Sequence, residues 1–192
     1  MAAFQASVSC RAGSWVQDGF IVPALIMGAG IAAVFDGVVF HQVLQWHHML
    51  SGWHPPTTVA NLKLNTRADG WFDLAAFALL LVGVSLLWRV TARAGRRPPW
   101  RLVAACVVTG VGAFNVVEGV VDHELLGIHH VREGADAGIY DAGFLAASLG
   151  ACLLGAYLLR RGRGSWVASA TRPPSPNLAP PLGETRGKGG YG

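Results

Sequence analysis

Four long apolar stretches constrain this chain more than any other feature of its sequence. They cover about residues 19–50, 70–90, 100–127 and 138–159, and each reaches the roughly 20 residues that a helix needs to cross a bilayer core. In hydrocarbon the backbone must satisfy its own hydrogen bonds, and no period-2 alternation favours a barrel. The sequence therefore predicts an all-α, polytopic membrane protein with four transmembrane helices.

The composition agrees with this fold class. Charged residues make up 14% of the 192-residue chain, whereas soluble domains average roughly 25%. The three cysteines, Cys10, Cys106 and Cys152, have neither metal-finger nor CxxC spacing, and the last two fall inside apolar runs. We expect small core residues there rather than a disulfide framework.

The basic residues indicate an orientation in the membrane. Twelve of the 15 Lys and Arg residues precede the first span, separate the second from the third, or follow the fourth; the other three are Lys63, Arg67 and Arg132. The positive-inside rule then predicts a plasma (inner) membrane protein with both termini cytoplasmic. Residues 1–18 would form a cytoplasmic segment, 19–160 the transmembrane domain, and 161–192 a disordered, Pro- and Gly-rich cytoplasmic tail.

The polar residues gather at the opposite, outer end. All seven histidines and nine of the 11 acidic residues lie in the outer half of the spans or in the outer loops. Four carboxylates, one from each span, are expected at a similar depth: Asp36, Asp73, Glu118 and Asp141. An ionisable group at that depth is costly unless it is paired, neutral or metal-bound, so we expect a functional site.

An internal repeat sharpens this expectation. The segment from Asp36 to His48 aligns without gaps on the segment from Glu118 to His130, matching acid, Gly, Val, Val, His and His-His. Further along, Gly-Trp-Phe-Asp73 resembles Gly-Ile-Tyr-Asp141. The repeat predicts a duplicated helical hairpin, a 2+2 pseudo-two-fold bundle with its axis along the membrane normal.

Straight-helix geometry limits which residues can share a metal ion. On a straight helix, neither His41 with His48 nor Asp36 with His47 is spaced to bind a single ion, so we expect ligands from different helices. We expect His41 and His123 across the pseudo-axis, with Asp36, Asp73, Glu118 and Asp141 beneath them. Secondary candidates are His47, His48, His129, His130, Asp69, Asp122 and Asn115.

Each of these residues also has a structural interpretation. His41 and His123 could serve helix packing or interfacial hydrogen bonding, and Asp73 and Asp141 could cap the helices that they begin. The paired histidines His47, His48, His129 and His130 are expected to project above the membrane. There a solvated or carboxylate-paired cap is an alternative to metal ligation.

Two of these segments also carry a resemblance to a known family. The stretch from Phe35 to Leu50, with Asp-Gly-Val-Val-Phe-His and Trp-His-His, and the stretch from Phe114 to Arg132 resemble motifs of a bacterial integral-membrane family known only as a domain of unknown function, DUF2243. The resemblance covers roughly residues 15–160. It implies a four-helix membrane protein without an established activity, sometimes encoded near cytochrome oxidase assembly factors, which weakly favours copper or haem handling.

The leading expectation is a site for one or two transition-metal ions. Imidazole and carboxylate ligands suit iron, zinc, manganese or copper(II), whereas outward-facing cysteine or methionine motifs for copper(I) are missing. Alternatives are a metal-transfer or respiratory-enzyme assembly accessory, a haem protein with His41 and His123 as axial ligands, and a structural membrane protein. A proton or cation pathway is disfavoured, because only Ser85 and Thr109 interrupt the inner half. The expected partners are the lipid bilayer and respiratory-chain or metal-handling proteins, and no nucleic acid.

Overall fold

Helices account for all the regular structure in residues 19–94 and 97–171, the part of the chain described by the computed structural model. Helix α1 spans Ile21–Phe35 and continues as a π-helix over Asp36–Val43. Helix α2 spans Val59–Ala94, and α3 spans Trp100–Glu118 and continues as a π-helix over Gly119–Leu125. Helix α4 spans Ala137–Thr171.

These helices confirm the predicted fold class. Within the described residues, four helical segments are long and apolar enough to cross a membrane: Ile21–Val43, Val59–Ala94, Trp100–Leu125 and Ala137–Gly164. The bounds differ from the apolar stretches, because α1 ends at Val43 rather than near residue 50, and α2 begins at Val59 rather than near residue 70. Residues 161–171 are helical, where a disordered tail was expected. The predicted N-terminal segment and the rest of the tail lie outside the described residues.

Helices α1 and α3 form the centre of the molecule. Helix α2 packs on α1, α4 packs on α3, and α1 packs on α3. Glycines allow the two central backbones to touch: a Cβ on Gly28 would lie 2.2 Å from the Val107 carbonyl oxygen, and one on Gly110 would lie 2.2 Å from that of Leu25. Small residues of this kind are the usual means of close helix packing in membranes. The contact brings the ends of α1 and α3 together.

The outer helices are held by matching contacts. A Cβ on Gly30 of α1 would lie 2.5 Å from the backbone nitrogen of Leu80 in α2, and one on Gly112 of α3 would lie 2.4 Å from that of Cys152 in α4. The two hairpins therefore use glycines at corresponding positions for close contacts between their helices.

The cysteines behave as expected where they are described. Cys106 is fully buried in a small core with Phe20, Ala24 and Leu102 at the end of the bundle away from the histidines. Cys152 is half-buried, and both thiols are free. Cys10 lies outside the described residues.

Candidate metal centre

The π-helical ends of α1 and α3 bring polar residues of the site close to one another. The backbone N–H of Leu44 donates to the carbonyl of Val39 at 2.8 Å, and that of Leu126 donates to Val121 at 2.9 Å. Each bond spans five residues, which defines the wider π turn and is frequent at functional sites. Residues five apart, such as Asp36 and His41, therefore come closer than they would on an α-helix.

Two residues in the left-handed conformation then end these helices. Gln45 has a φ of 49° and Gly127 a φ of 56°, each two positions after the last π-helical residue. Left-handed residues commonly terminate helices by reversing the direction of the chain. Here the reversal folds residues 44–58 and 126–136 back across the helix ends, so the histidines that follow are directed inward.

His47 and His129 consequently lie at the centre of the cluster. Their rings stack with centroids 4.5 Å apart and planes at 1° to each other. His47 is 2% exposed and His129 is 1% exposed. The sequence predicted that they project above the membrane; in the structure these two are buried within the protein, because the helices end before them and the loops turn inward. It is His47 and His129, rather than His41 and His123, that meet between the two hairpins.

Each of these rings is oriented by the opposite loop. Nδ1 of His47 lies 2.9 Å from the carbonyl oxygen of Val131, and Nδ1 of His129 lies 3.2 Å from that of Met49. A carbonyl can only accept, so Nδ1 carries a proton in both rings, and in a neutral imidazole Nε2 then keeps its lone pair. Neither Nε2 atom has a hydrogen-bond partner.

His41 adjoins this pair within the first hairpin. It is fully buried, with Nε2 3.0 Å from Oδ2 of Asp36 and Nδ1 3.2 Å from Oδ1 of Asp69. Its ring centroid is 4.6 Å from that of His47 and 5.4 Å from that of Phe72.

His123 occupies the matching position in the second hairpin. Its Nδ1 lies 3.4 Å from Oδ1 of Asp141, and its ring centroid lies 4.9 Å from that of His129. Phe144 stands 5.5 Å away, where Phe72 stands beside His41. Both histidines thus face a carboxylate, a phenyl ring and one or both of the stacked pair.

Two aspartates clamp the loops to the outer helices. Asp69 accepts a hydrogen bond from Nδ1 of His48 at 2.7 Å and from the Met49 backbone N–H at 2.7 Å. Asp141 accepts from His130 at 2.6 Å and from the Val131 backbone N–H at 2.9 Å. The contacts of Asp141 therefore match those of Asp69 and not those of Asp73, with which the sequence aligned it.

The helix-capping interpretation is wrong for both Asp73 and Asp141. Helix α2 begins at Val59 and α4 begins at Ala137, so neither aspartate stands at a helix start. Asp73 is half-buried and packs against Gly37, where a Cβ would collide with Oδ1 of Asp73. This Oδ1 atom has no hydrogen-bond partner.

Two sets of side chains in the described part of the chain are close enough together that each could hold a metal ion. In each set, one ligand atom per residue can be chosen so that all lie within 4.8 Å of one another: Asp36, His41 and His47 in the first, and Glu118, Asp122 and His129 in the second. Asp122 aligns with Phe40, so the second set has a carboxylate where the first has an aromatic ring. Of the remaining predicted residues, His48, Asp69, His123, His130 and Asp141 orient or adjoin these ligands, and Asn115 is half-buried below them.

Unsatisfied polar atoms are concentrated in the same place. Among the described residues, every buried side-chain nitrogen or oxygen without a hydrogen-bond partner belongs to this region: on Asp36, His41, His47, Asp73, Glu118, His123 and His129. Some of these atoms nevertheless face a charged partner, since Oδ2 of Asp36 lies 3.0 Å and Oδ1 of Asp69 lies 3.2 Å from the two nitrogens of His41. A buried polar atom with no partner at all costs about 1–3 kcal/mol. Buried donors and acceptors gathered in this way could hold a cation.

The lowered pKa of His129 is compatible with a role as a metal ligand. Burial, with smaller contributions from the neighbouring His47 and His123, lowers the pKa of His129 from its ordinary value of 6.5 to about 3. Its imidazole is therefore neutral at physiological pH. A neutral imidazole with a free nitrogen is the form that binds metals.

Some structural residues of the site were not predicted. Asn65 is fully buried; it accepts from the Leu50 backbone N–H at 3.0 Å and donates to the His54 carbonyl at 2.8 Å. Ser51 donates to Glu133 at 2.7 Å, which ties the two loops together. The signal for Asn65 was its position four residues before Asp69, on the same helical face.

The fold and the site define a four-helix membrane protein with a buried histidine and carboxylate cluster at one end. The chain belongs to the family DUF2243, described as predicted membrane proteins, whose profile matches residues 23–162. Searches of curated proteins and of solved structures found no match.

Proposed function

We propose that this protein binds one or two transition-metal ions between its hairpins. The observation that carries the proposal is the pair of stacked, buried imidazoles of His47 and His129, each with an unpartnered Nε2 beside a carboxylate set. A divalent cation would satisfy these nitrogens and the carboxylates Asp36 and Glu118 together. The first set would hold one ion and the second set another.

The groups around the ligands support this proposal. Metal-binding histidines generally donate their other N–H to a carbonyl or a carboxylate, which fixes the tautomer and the ring orientation. His47 and His129 donate to carbonyls, and Nδ1 of His41 and of His123 each face an aspartate. This preorganisation would serve a metal ion by presenting Nε2 of both rings in a fixed orientation.

The donor atoms restrict which metal ions the site would bind. Imidazole nitrogen with carboxylate oxygen suits iron, zinc, manganese or copper(II). A bare ion fits the packing better than haem, because the His41 ring is fully enclosed and touches the rings of His47, His129 and Phe72. The haem alternative with His41 and His123 as axial ligands is accordingly the weaker one.

Metal transfer is a second candidate, favoured by one observation. The side chain of His130 is 38% exposed and bonds Asp141, whose other oxygen faces the buried His123. A ligand at the surface could receive or release an ion. A metal-handling or respiratory-chain protein would then be the partner.

The proposal also includes the orientation of the protein in the membrane and the two-fold relation between its hairpins. The arginine-rich loop and tail would face the cytoplasm, placing the cluster at the outer side of the plasma membrane. The matching contacts of the two halves support a duplicated hairpin, and one ion per half would follow from it.

Elemental analysis of the detergent-purified protein tests the proposal. The wild type, supplied with iron, copper, zinc or manganese and then desalted, should retain one or two ions per chain. The His47→Ala/His129→Ala double variant should retain none, while His54→Ala, which alters an exposed loop histidine, should match the wild type.

Because both histidines are buried, helical content by circular dichroism must accompany the measurement. Asp36→Asn supplies a nearly isosteric second variant in case the double variant does not fold, and it should lose at least one ion. Wild type that binds none of the four metals would overturn the proposal.

A further inference from the structure

A cleft opens between α1 and α4 at the depth of the metal centre. Both helices pack on α3, and between them lies a space of about 460 Å³. That volume falls within the roughly 300–1,000 Å³ of small-molecule sites. The lining residues all belong to membrane-spanning helices, so the mouth faces the acyl chains rather than water.

The walls of this cleft are apolar and partly aromatic. Phe35, Phe40 and Phe144 line it together with Ile31 and several alanines. Phe35 is 55% exposed. Rings in this arrangement favour an occupant that is itself a flat ring, through stacked or edge contacts.

Its floor is polar. Asp36, Asn115 and Ser148 line the cleft. The Asp36 carboxylate is already paired with His41, at 3.0 Å, whereas the Asn115 amide and the Ser148 hydroxyl make no side-chain hydrogen bond within the described residues. An acyl chain filling the cleft would leave these two groups without partners in hydrocarbon, at a cost of about 1–3 kcal/mol each. An occupant with a hydroxyl at its leading end would satisfy them.

We propose that the cleft is a lateral entrance through which a membrane-dissolved phenol reaches Asp36, its ring between the phenylalanines and its hydroxyl on the polar floor. The inference deepens the proposed function and rests on it in naming the substrate class of the metal centre. The binding itself uses only side chains of this chain, so it can be measured with or without metal.

The experiment uses the full chain in lipid nanodiscs and radiolabelled 4-octylphenol. Saturable binding, above partition into empty nanodiscs, is expected. Octylbenzene, which lacks the hydroxyl, should bind about tenfold more weakly on a lipid mole-fraction scale, as expected for one lost hydrogen bond of about 1.4 kcal/mol.

A steric variant tests the location. Ala147 is exposed and lines the cleft, so Ala147→Phe fills it without displacing the core. This variant should lose saturable phenol binding and keep the metal content of the wild type. The matched control is Ala78→Phe on the exposed face of α2, which should change neither quantity.

The outcomes separate the two proposals. Unsaturable binding, equal affinity for octylbenzene, or unchanged binding by Ala147→Phe would each overturn the cleft proposal, whatever the metal content. Saturable phenol binding blocked by Ala147→Phe in a protein that holds no metal would support the cleft and refute the metal centre.

Discussion

The imidazole of His47 lies flat against that of His129, with centroids 4.5 Å apart. Each ring is held by a backbone carbonyl of the opposite loop, at 2.9 Å from Val131 and 3.2 Å from Met49. The two halves of the chain thus orient each other's central histidine in equivalent ways, although the groups beside the two Nε2 atoms differ: Asp36 and His41 in one set, Glu118 and Asp122 in the other.

This equivalence predicts comparable losses from single substitutions. His47→Ala and His129→Ala should each remove about half of the metal bound by the wild type, since each deletes one ligand from one set. Metal per chain after desalting gives the measurement, with His54→Ala as the unaffected reference. A loss confined to one of the two would contradict a site in each half.

The aspartate clamps should matter for stability. Asp69→Asn and Asp141→Asn each weaken a charge-assisted bond to a histidine, and we expect a loss of about 1–3 kcal/mol in the free energy of unfolding. Unfolding in detergent mixtures, followed by circular dichroism, provides the measurement.

Asp73→Asn is the matched control for these clamps. It alters a half-buried aspartate whose Oδ1 has no hydrogen-bond partner, so no loss of stability is expected. If Asp73→Asn destabilised the protein as much as Asp141→Asn, the conclusion that Asp69 is the counterpart of Asp141 would be contradicted.

Replacing the glycines between α1 and α3 with alanine should destabilise the protein. In Gly28→Ala and Gly110→Ala the new Cβ would lie 2.2 Å from a carbonyl oxygen of the facing helix, so the central pair must separate. Overpacking of this kind costs about 1–3 kcal/mol. Thermal unfolding should show the loss in both variants, whereas Gly143→Ala in α4, with nothing within 4 Å of its Cβ, should be neutral or stabilising.

Substitutions at the two left-handed turn residues should change the stability of the protein in opposite directions. Gln45 adopts a φ of 49° that glycine accepts more readily, so Gln45→Gly should stabilise the protein by about 1 kcal/mol. Gly127→Ala, at the matching position with a φ of 56°, should destabilise it by a similar amount. Identical shifts in the unfolding midpoint would rule out backbone strain as the cause.

The orientation can be tested with reporters at the C-terminus. Green fluorescent protein fused after residue 192 should fluoresce, and alkaline phosphatase fused there should be inactive, because both termini are expected in the cytoplasm. The opposite pair of results would place the histidine end of the bundle on the cytoplasmic side.

The sequence was sufficient for the four helices because their apolar stretches have no competing interpretation. It was also sufficient to assign the histidines and carboxylates to one end, since alternating spans bring those residues to the same side. Asp36 and His41 were recognised as candidates, although straight-helix geometry kept them apart. The π turns that bring them to 3.0 Å depend on how the helix ends pack, which residue spacing does not reveal.

Two further features depended on tertiary structure. The burial of His47 and His129 follows from the loops turning inward after Gln45 and Gly127, and only the glycine carried a visible signal. The match of Asp141 with Asp69 rather than Asp73 is a shift of one helical turn. The sequence did not reveal it, because Asp69 precedes the apolar stretch that was taken as the second helix, whereas α2 begins at Val59 and includes Asp69.

The carbonyl that orients His47 belongs to Val131, which follows α3 in the chain. A chain that has been synthesised only as far as the first hairpin has His41, His47 and Asp36 but lacks the second hairpin that orients and encloses them. The complete cluster forms only when α3 is present and its following loop has folded back. The metal loading proposed above would therefore come late in the biogenesis of this protein, after synthesis of the second half of the chain.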